Sequence, residues 1–466
     1  MAEVISVVNP ATETLIKEIP VDDGAAIASK VKRARAAQPA WAATPLSERI
    51  EAIKNFRNLL VEQADSLAAT LTAETGKPIT QAKNEILGTP LRIDFFIETV
   101  AKVITPQQVY QEPWQAMPGT GDLEEVIAYE PLGVIANISA WNYPYFVGAN
   151  VFIPALLTGN AVVYKPSEIA TMTGLAIASL LHKAGIPPDI FTPIIGTGLA
   201  GATLLKQPID GVFFTGSYPT GQSIATAVAP KLIKLQLELG GKDPAYVCND
   251  VDVPSVAAGL ADGAFYNNGQ SCCAVERIYV HTDSYEPFIE KFVQTVQGFK
   301  LGDPTHPETY LGPLSRKPQV SILKQQLQDA IAKGAQLLCG GQPLDRPGWY
   351  LDPTVLTDVP PEMPVMREET LGPVLGIQRV SDDAEAVALM NDTAYGLTAA
   401  VYSSKRERAV KILEQVSSGS AYWNCCDRVS PRLPWTGRGQ SGIGSTLSTL
   451  GISTFLQPRG WHLKKC

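Results

Sequence analysis

Cys272 is the residue of this sequence whose type and setting most strongly suggest chemistry. It follows Gly269, Gln270 and Ser271 within a stretch, from Phe265 to Arg277, that reads FYNNGQSCCAVER. Small and polar residues before a cysteine predict a thiol on an open turn at the start of the next element. The thiolate is the nucleophilic form, and a helix start or positive surroundings lower a cysteine pKa. The sequence therefore predicts a nucleophilic cysteine.

Two other residues have side chains that could assist such a nucleophile. Glu238 stands between apolar neighbours in LELGG, where burial would raise its pKa towards that of a general base. Asn142, in AWNYP, offers an amide N–H donor of the kind that an oxyanion site needs. On the residues alone, an exposed glutamate on an edge strand and a turn asparagine before Pro144 are open alternatives.

Three segments have the residue types of a nucleotide site. The run from Gly196 to Gly201 matches G-x-G-x-x-G, but no acidic residue follows about twenty positions later, so a tight turn is the alternative. The run from Phe214 to Ser217 would present backbone N–H groups to a phosphate, or Ser217 would simply cap a helix. Lys165 and Glu168, after a predicted strand, could contact both hydroxyls of one ribose or form a surface ion pair.

Composition limits the partners of the chain. Its 466 residues are 45 % apolar and 18 % charged, with a net charge of -8 and no basic block. We therefore expect roughly two or three domains and neither nucleic acid nor an anionic membrane as a partner. The N-terminus has no signal-like pattern, and no apolar run reaches membrane-spanning length. Seven cysteines, four histidines and no C-x-x-C predict a reducing, cytoplasmic setting and no metal site.

Two series of elements are predicted to position these residues. The first hundred residues are predicted to be helical, with helices over Asp23 to Gln38 and Ser47 to Thr75. From Gly133 short apolar strands alternate with helices, and a second such series begins near Leu235. This alternation predicts an α/β fold with two doubly wound domains on parallel sheets. The last segment, Ser453 to Leu463, is predicted to be a strand that ends free.

Five motifs make the chain resemble the aldehyde dehydrogenase superfamily over nearly its whole length. They are the opening NPAT, the ELGG of Glu238, the FxxxGQxCxxxxR of Cys272, the ETLGPV that begins at Glu369 and the NxxxYGL that begins at Asn391. Cys272 follows Glu238 by 34 positions (272 minus 238), as is usual in that family. Five motifs in the family's order indicate both the fold and the reaction type.

The resemblance implies roles for the candidate residues. Asn142 and the backbone N–H of Cys272 would stabilise the oxyanion. The implied cofactor-binding residues are Ser139, Trp141, Lys165, Glu168, Gly196, Phe214, Gly216, Ser217, Leu239, Glu369 and Leu371. Among them, Lys165 and Glu168 would hold the adenosine ribose, Ser217 the pyrophosphate and Glu369 the nicotinamide ribose. An acidic residue at position 168 repels a 2′-phosphate, so NAD is expected rather than NADP.

The implied reaction is the oxidation of a small-molecule aldehyde to a carboxylic acid. Cys272 would attack the aldehyde, hydride loss to NAD would leave a thioester, and Glu238 would activate the water that hydrolyses it. A CoA-acylating enzyme is the alternative, but such enzymes typically lack the glutamate. A cysteine hydrolase would need an activating histidine, and no histidine stands near a suitable motif. A structural role would predict loss of the catalytic residues.

The substrate pocket is predicted to include Tyr143, Phe146, Ser271, Cys273 and Arg428. Aromatic side chains, with Tyr145 and Trp423 added, would suit aromatic, aliphatic or quaternary-ammonium aldehydes. Arg428 and Arg432 would instead attract the carboxylate of a semialdehyde. Succinic semialdehyde or another small aldehyde is therefore expected, with betaine aldehyde or an amino-aldehyde as the alternative.

The resemblance also implies a division of the chain. Residues 1–117 and 137–239 would form an NAD-binding domain, and residues 240–430 a catalytic domain. Residues 118–136 and 445–466 would form a small β arm for oligomerisation. Because members of the family form dimers and tetramers, a homodimer or homotetramer is expected. The hairpin near Leu123 to Tyr129 and the C-terminal strand would join subunits by strand pairing.

Overall fold

The structure is a computed structural model that describes residues 3–111, 123–342 and 346–464. Its strands are β1 Val4–Val8, β2 Leu15–Pro20, β3 Gln107–Gln111, β4 Leu123–Pro131, β5 Val134–Ile138, β6 Ala161–Lys165, β7 Phe191–Pro193, β8 Gly211–Thr215, β9 Lys234–Glu238, β10 Asp243–Val247, β11 Val275–His281, β12 Gln336–Cys339, β13 Thr354–Thr357, β14 Val374–Val380, β15 Thr398–Tyr402, β16 Ser420–Trp423, β17 Gly442–Ile443 and β18 Leu456–Lys464. Its α-helices are α1 Gly24–Ala43, α2 Leu46–Glu62, α3 Ala64–Thr75, α4 Ile79–Ile104, α5 Pro144–Leu157, α6 Thr171–Lys183, α7 Gly198–Leu205, α8 Tyr218–Val228, α9 Val253–Phe265, α10 Thr282–Gln297, α11 Lys317–Ala332, α12 Pro364–Arg367, α13 Asp383–Asn391, α14 Arg406–Leu413 and α15 Ser448–Ser453.

A six-stranded sheet contains the strands of the first alternating series, in the order β17-β9-β8-β5-β6-β7. It also includes β9, so the second series begins with β10 and not near Leu235 as predicted. Its strands are parallel except for β17, which runs antiparallel to β9. All five residues of β5, β6 and β8 are buried, as expected for a parallel sheet covered by helices on both faces. The carboxyl ends of its parallel strands therefore share one edge, where ligands of open α/β sheets bind.

A seven-stranded sheet is built from the second series, in the order β12-β13-β14-β11-β10-β15-β16. Only the β12–β13 pair is antiparallel. The predicted α/β class with two parallel, helix-covered sheets is confirmed. The predicted domain boundary at residues 239 and 240 lies between β9 of one sheet and β10 of the other, and the boundary at residues 117 and 118 lies outside the described residues. The domain limits stay predictions.

A three-stranded antiparallel sheet, in the order β18-β4-β3, lies apart from the two large sheets. The prediction of a free strand over Ser453 to Leu463 is wrong in two respects. The strand begins at Leu456, because Ser453 still belongs to α15. It also pairs along its whole length with β4 of the same chain, from Leu456 opposite Pro131 to Lys464 opposite Leu123.

The N-terminal region is less helical than its alanine-rich sequence predicts. β1 and β2 form an antiparallel pair whose buried Ile5, Val7 and Ile19 pack with Ile195. The predicted helix over residues 47–75 is two helices, because the chain leaves helical geometry at Gln63 between α2 and α3. None of the helices in the described ranges is both long enough and apolar enough to cross a membrane.

Candidate active site

Two cavities meet at Cys272 and Glu238. The strand-end cavity, of about 900 Å³, lies at the carboxyl edge of the six-stranded sheet, where Ser139, Lys165 and Thr215 contribute to its wall. The α4–α5 cavity, of about 940 Å³, lies between helices α4 and α5 and the segment after β16. Cys272 and Glu238 line both cavities. A group bound in one cavity can therefore reach the same two side chains as a group bound in the other.

A strained turn places Cys272 at this junction. The residues before it form a 3-10 turn, Tyr266–Gly269, in which Asn267 and Asn268 have left-handed backbone angles, with φ of 55° and 59°. The Asn267 side chain offsets part of that strain, because its Nδ2 donates to the carbonyl oxygens of Gln270 (3.1 Å) and Asn142 (3.3 Å). β11 begins three residues after Cys272, so the thiol lies on a turn, as predicted.

The surroundings of Cys272 are acidic. Interaction with the Cys273 thiol lowers the pKa of Cys272. Burial and the charges of Glu238, Asp243 and Asp427 outweigh that interaction, so the pKa of the Cys272 thiol is raised. Only a small fraction of this thiol is ionised at neutral pH.

Asn142 is held with its amide towards the turn that carries Cys272. Its Nδ2 donates to the Gln270 carbonyl at 3.1 Å, and its Oδ1 accepts from the Tyr143 backbone N–H at 3.1 Å. These two bonds fix the amide plane and leave the second N–H of Nδ2 for another acceptor. Asn142 also lines the strand-end cavity beside Cys272. The arrangement suits an oxyanion donor.

Glu238, the last residue of β9, is buried with an incompletely bonded carboxylate. Its Oε1 accepts from Trp435 Nε1 at 2.6 Å, while Oε2 makes no hydrogen bond within the described residues. Burial raises the pKa of Glu238 to about 7, although the Trp435 bond and the charge of Arg92 act against that rise. A carboxylate with this pKa and an unpaired oxygen suits a general base near neutral pH.

A buried ion pair that was not predicted from the sequence holds the backbone carbonyl of Asn142. Lys77 Nζ donates to Glu85 Oε2 (2.5 Å) and to the Asn142 carbonyl (2.5 Å), and it lies 3.8 Å from the Tyr143 ring centroid. Glu85 Oε1 accepts from the backbone N–H of Tyr145 (2.8 Å) at the start of α5, where a negative charge is favoured. The pair therefore connects α4, the start of α5 and Asn142.

Most of the predicted cofactor-binding residues line the strand-end cavity. Those in its wall are Ser139, Trp141, Lys165, Glu168, Phe214, Gly216, Ser217, Leu239, Glu369 and Leu371. Gly196 does not line this cavity. A Cβ at Gly196 would collide with Ala200 of α7, so this glycine allows the turn before α7 to pack closely.

The loop that carries Glu369 and Leu371 is anchored by a residue missed in the sequence. The carboxylate of Glu276 accepts from the backbone N–H groups of Thr370 (2.9 Å) and Leu371 (2.9 Å) and from Lys242 Nζ (2.7 Å). Burial and the nearby Glu276 raise the pKa of Glu369 to about 8. The anchor fixes where the Glu369 side chain can lie in the strand-end cavity.

Some of the predicted substrate residues line the α4–α5 cavity, and others do not. Tyr143, Phe146, Ser271, Cys273 and Arg428 line the α4–α5 cavity. Tyr145, Trp423 and Arg432 are not in its wall within the described residues. Tyr145 is part of the buried core, and the Trp423 indole donates to the Ser403 carbonyl at 2.9 Å.

Cys273 has a polar partner and is more than a packing neighbour. Its Sγ donates to Asp427 Oδ1 at 3.0 Å, and Ser271 Oγ donates to the same oxygen at 3.2 Å. Interaction with Cys272, burial and the Asp427 charge raise the pKa of Cys273 well above its usual value. The Cys273 thiol hydrogen is donated to Asp427, and of the two thiols only Cys272 lines both cavities, so Cys272 is the better candidate nucleophile.

Arg92 of α4 is a further residue missed in the sequence, and it lines the α4–α5 cavity. Its guanidinium carbon lies 4.1 Å from the Phe146 ring centroid, and its Nη1 donates to Asn150 Oδ1 at 2.9 Å. Gln81, Glu85, Gly88 and Arg92 all line the cavity. They recur at helical spacing on one face of α4. The helical spacing of Gln81, Glu85 and Arg92 was the feature of the sequence from which this cavity wall could have been predicted.

Sequence relatives agree on an aldehyde as the substrate. The succinate-semialdehyde dehydrogenase [NADP(+)] of Deinococcus radiodurans is 35 % identical over 96 % of this chain and 92 % of the relative. The chloroplastic betaine aldehyde dehydrogenase of Beta vulgaris is 32 % identical over 98 % of this chain and 95 % of the relative. Both proteins are named for the oxidation of an aldehyde.

The comparison contradicts the expectation of NAD. The Deinococcus radiodurans relative is named for NADP(+), as are further succinate-semialdehyde dehydrogenases among the relatives. The expectation of NAD rested on the charge of Glu168. In the structure, Lys165 Nζ lies 3.5 Å from Glu168 Oε2, and Lys206 and Lys231 also line the strand-end cavity. Lys165 thus offsets part of the charge of Glu168, and the two further lysines in the same wall favour a phosphate.

A solved structure and the model of a protein family also match this chain over nearly its whole length. The crystal structure of lactaldehyde dehydrogenase from Escherichia coli superposes with a TM-score of 0.94 at 32 % identity, covering 100 % of this chain and 96 % of the other. The pattern of the aldehyde dehydrogenase family matches residues 1–460. With two cavities that meet at a cysteine and a glutamate, the chain belongs to the aldehyde dehydrogenase family and is an aldehyde dehydrogenase.

Proposed function

We propose that this enzyme oxidises succinic semialdehyde to succinate with NADP⁺, through a thioester on Cys272. The observation that carries the proposal is the position of Cys272 and Glu238 in the walls of both cavities. An aldehyde in the α4–α5 cavity and a hydride acceptor in the strand-end cavity would then meet at one thiol. The name of the Deinococcus radiodurans relative supports this choice of substrate and cofactor.

The residues of the strand-end cavity fit a phosphorylated dinucleotide. Helix α8 begins directly after Ser217, which lines the cavity with Thr220, so backbone N–H groups and two hydroxyls are available to a pyrophosphate. Lys165 and Lys206 would hold a 2′-phosphate, and Glu369 would contact the nicotinamide ribose. When bound, NADP⁺ supplies the acceptor for the hydride of the aldehyde.

The residues of this chain would act in two stages. In the first, the Cys272 thiolate attacks the aldehyde carbon, and the unused N–H of Asn142 Nδ2 and the Cys272 backbone N–H donate to the developing oxyanion. In the second, Glu238 accepts a proton from the water that hydrolyses the thioester. The raised pKa of the Cys272 thiol limits the first stage at low pH, and protonation of Glu238 limits the second.

A cationic aldehyde is the second candidate, because several carboxylates line the α4–α5 cavity. Asp250, Asp252, Asp262 and Asp427 are all in its wall, and the Beta vulgaris relative is named for betaine aldehyde. All four of these aspartates already have hydrogen-bond partners, since Asp252 accepts from the backbone N–H of Ser255 at 3.3 Å. Asp250 accepts from Ser403 and Ser404, Asp262 from Tyr310, and Asp427 from Ser271 and Cys273.

Steady-state kinetics with a panel of aldehydes tests the proposal. Succinic semialdehyde, betaine aldehyde and benzaldehyde would each be assayed with NADP⁺ and with NAD⁺, following reduced cofactor. We expect the highest kcat/KM for succinic semialdehyde with NADP⁺, and no turnover of any pair by Cys272→Ala. A higher kcat/KM for betaine aldehyde would contradict succinic semialdehyde as the substrate. A preference for NAD⁺ would contradict NADP⁺ as the cofactor.

A further inference from the structure

Arg92 is a buried cation without a counter-ion in the described part of the chain. Its side chain is almost fully buried, with a relative exposure of 7 %. Its one side-chain hydrogen bond within the described residues goes to the neutral amide of Asn150, and a guanidinium carries five N–H donors. A buried charge left unpaired is costly, so a residue of this kind in a cavity wall indicates an anionic ligand.

The guanidinium is held in one orientation. It stacks on the ring of Phe146 at 4.1 Å, which fixes its plane, and the Asn150 bond fixes its rotation within that plane. An arginine fixed in this way loses little side-chain entropy when it binds a carboxylate through two parallel N–H groups. The side chain is thus arranged for a carboxylate before any substrate enters.

The two carboxylates whose charges act on Arg92 form no ion pair with it, and each has another hydrogen-bond partner, although Glu238 Oε2 stays unbonded within the described residues. Glu85 is paired with Lys77 and accepts from the start of α5, and Glu238 accepts from Trp435. Burial lowers the pKa of Arg92 to about 10, against the opposing charges of Glu238 and Glu85. Arg92 therefore stays protonated at neutral pH and lies within electrostatic reach of the catalytic groups.

We propose that Arg92 is the specificity-determining residue that binds the carboxylate at the far end of an acidic aldehyde such as succinic semialdehyde. The inference rests on the proposed substrate and deepens it. Arg428, which the sequence suggested for this role, is exposed at the wall of the same cavity. A carboxylate bound by Arg428 would keep more of its water, and that arginine would discriminate less between a charged and a neutral aldehyde.

The test compares succinic semialdehyde with its methyl ester, methyl 4-oxobutanoate, which has the same aldehyde without the negative charge. The variants are Arg92→Met, Arg92→Lys and, as the matched charge removal, Arg428→Met. For Arg92→Met we expect kcat/KM with succinic semialdehyde to fall by about 10- to 100-fold, the loss of one charge-assisted interaction, through KM more than kcat. With the ester the fall should be clearly smaller, although loss of the Arg92 charge also raises the pKa of Glu238 and so acts on both aldehydes. Arg92→Lys should recover part of the lost activity, and Arg428→Met should keep the wild-type preference.

Three outcomes would overturn the inference, and they are distinguishable. Equal losses with both aldehydes in Arg92→Met would mean that Arg92 acts on Glu238 or on folding and not on the carboxylate. A lost preference in Arg428→Met alone would assign the carboxylate to Arg428. A wild-type enzyme that does not prefer succinic semialdehyde to its ester would contradict the proposed substrate and, with it, the role of Arg92.

Discussion

Glu238 is held by one hydrogen bond and leaves its other carboxylate oxygen unbonded within the described residues. One carboxylate oxygen therefore positions the side chain, and the other is available to a water molecule. If Glu238 is the base for thioester hydrolysis, Glu238→Gln keeps a hydrogen-bond acceptor for Trp435 but cannot accept a proton from water. We expect a burst of NADPH equal to the active sites, followed by a steady state lowered by about 10²- to 10⁴-fold, measured by stopped flow.

The control for that variant is Cys272→Ala, which should give neither burst nor steady state. A Glu238→Gln enzyme with full steady-state activity at neutral pH would remove Glu238 from the mechanism.

The dependence of activity on pH follows from the two raised pKa values. A base must be deprotonated to act, so steady-state turnover limited by hydrolysis should rise with pH and level off above about 7, the pKa of Glu238. The pKa of Cys272 is also raised, above a higher ordinary value, so the burst rate should continue to rise beyond that point. Stopped-flow and steady-state assays across a pH series measure the two curves. A burst rate that is independent of pH would show that the thiol is already ionised.

The candidate catalytic residues could be picked out in the sequence, and the residues that support them could not. Cys272 and Glu238 stand in long motifs at a fixed separation. Arg92 and Lys77 are ordinary charged residues of a helical region, and their burial becomes visible only once α4 lies against α5. The cofactor was predicted wrongly for a related reason, because the charge of Glu168 was considered without Lys165 beside it and without the other lysines in the same cavity wall.

At the scale of elements, the buried Glu276–Lys242 pair joins the start of β11 to the loop after α12. Breaking a buried ion pair from one side leaves an uncompensated charge. We therefore expect Glu276→Gln to lower the free energy of unfolding by about 3–5 kcal/mol and to raise KM for NADP⁺, because the loop that carries Glu369 loses its anchor.

The matched control is Glu286→Gln, which breaks the exposed pair with Arg379 and should cost no more than about 1 kcal/mol. Urea unfolding and cofactor kinetics provide the two measurements. Equal effects of the two substitutions would mean that the Glu276 pair does not support the loop.

At the scale of the whole molecule, the outer strands of the three-stranded sheet carry apolar side chains that the described part of the chain leaves exposed. Val109, Tyr110, Trp461 and Leu463 on its two outer strands are all exposed apolar side chains, and outer strands with unpaired edges favour pairing with another chain. We predict a homodimer or homotetramer joined through this sheet, and that Leu463→Lys shifts the assembly to smaller species. Analytical ultracentrifugation measures both masses, and a monomeric wild-type enzyme would contradict the prediction.

The two large sheets were predictable because strands alternate with helices in the same way in both parts of the sequence. Short apolar strands alternating with helices leave few arrangements other than parallel, helix-covered sheets. The partner of the last strand was not predictable, because antiparallel pairing between β4 and β18 joins segments more than three hundred residues apart, and no local pattern encodes such a contact.

The meeting of the two cavities at Cys272 has a consequence for inhibitor design. A compound that fills only the α4–α5 cavity would compete with the aldehyde and leave the dinucleotide bound. A compound with a carboxylate at one end and a nicotinamide riboside at the other could pass beside the thiol and occupy both cavities at once. Linking the two fragments makes binding of the second fragment intramolecular. Its effective concentration is then set by the length of the linker, and the linked compound binds more tightly than either fragment alone.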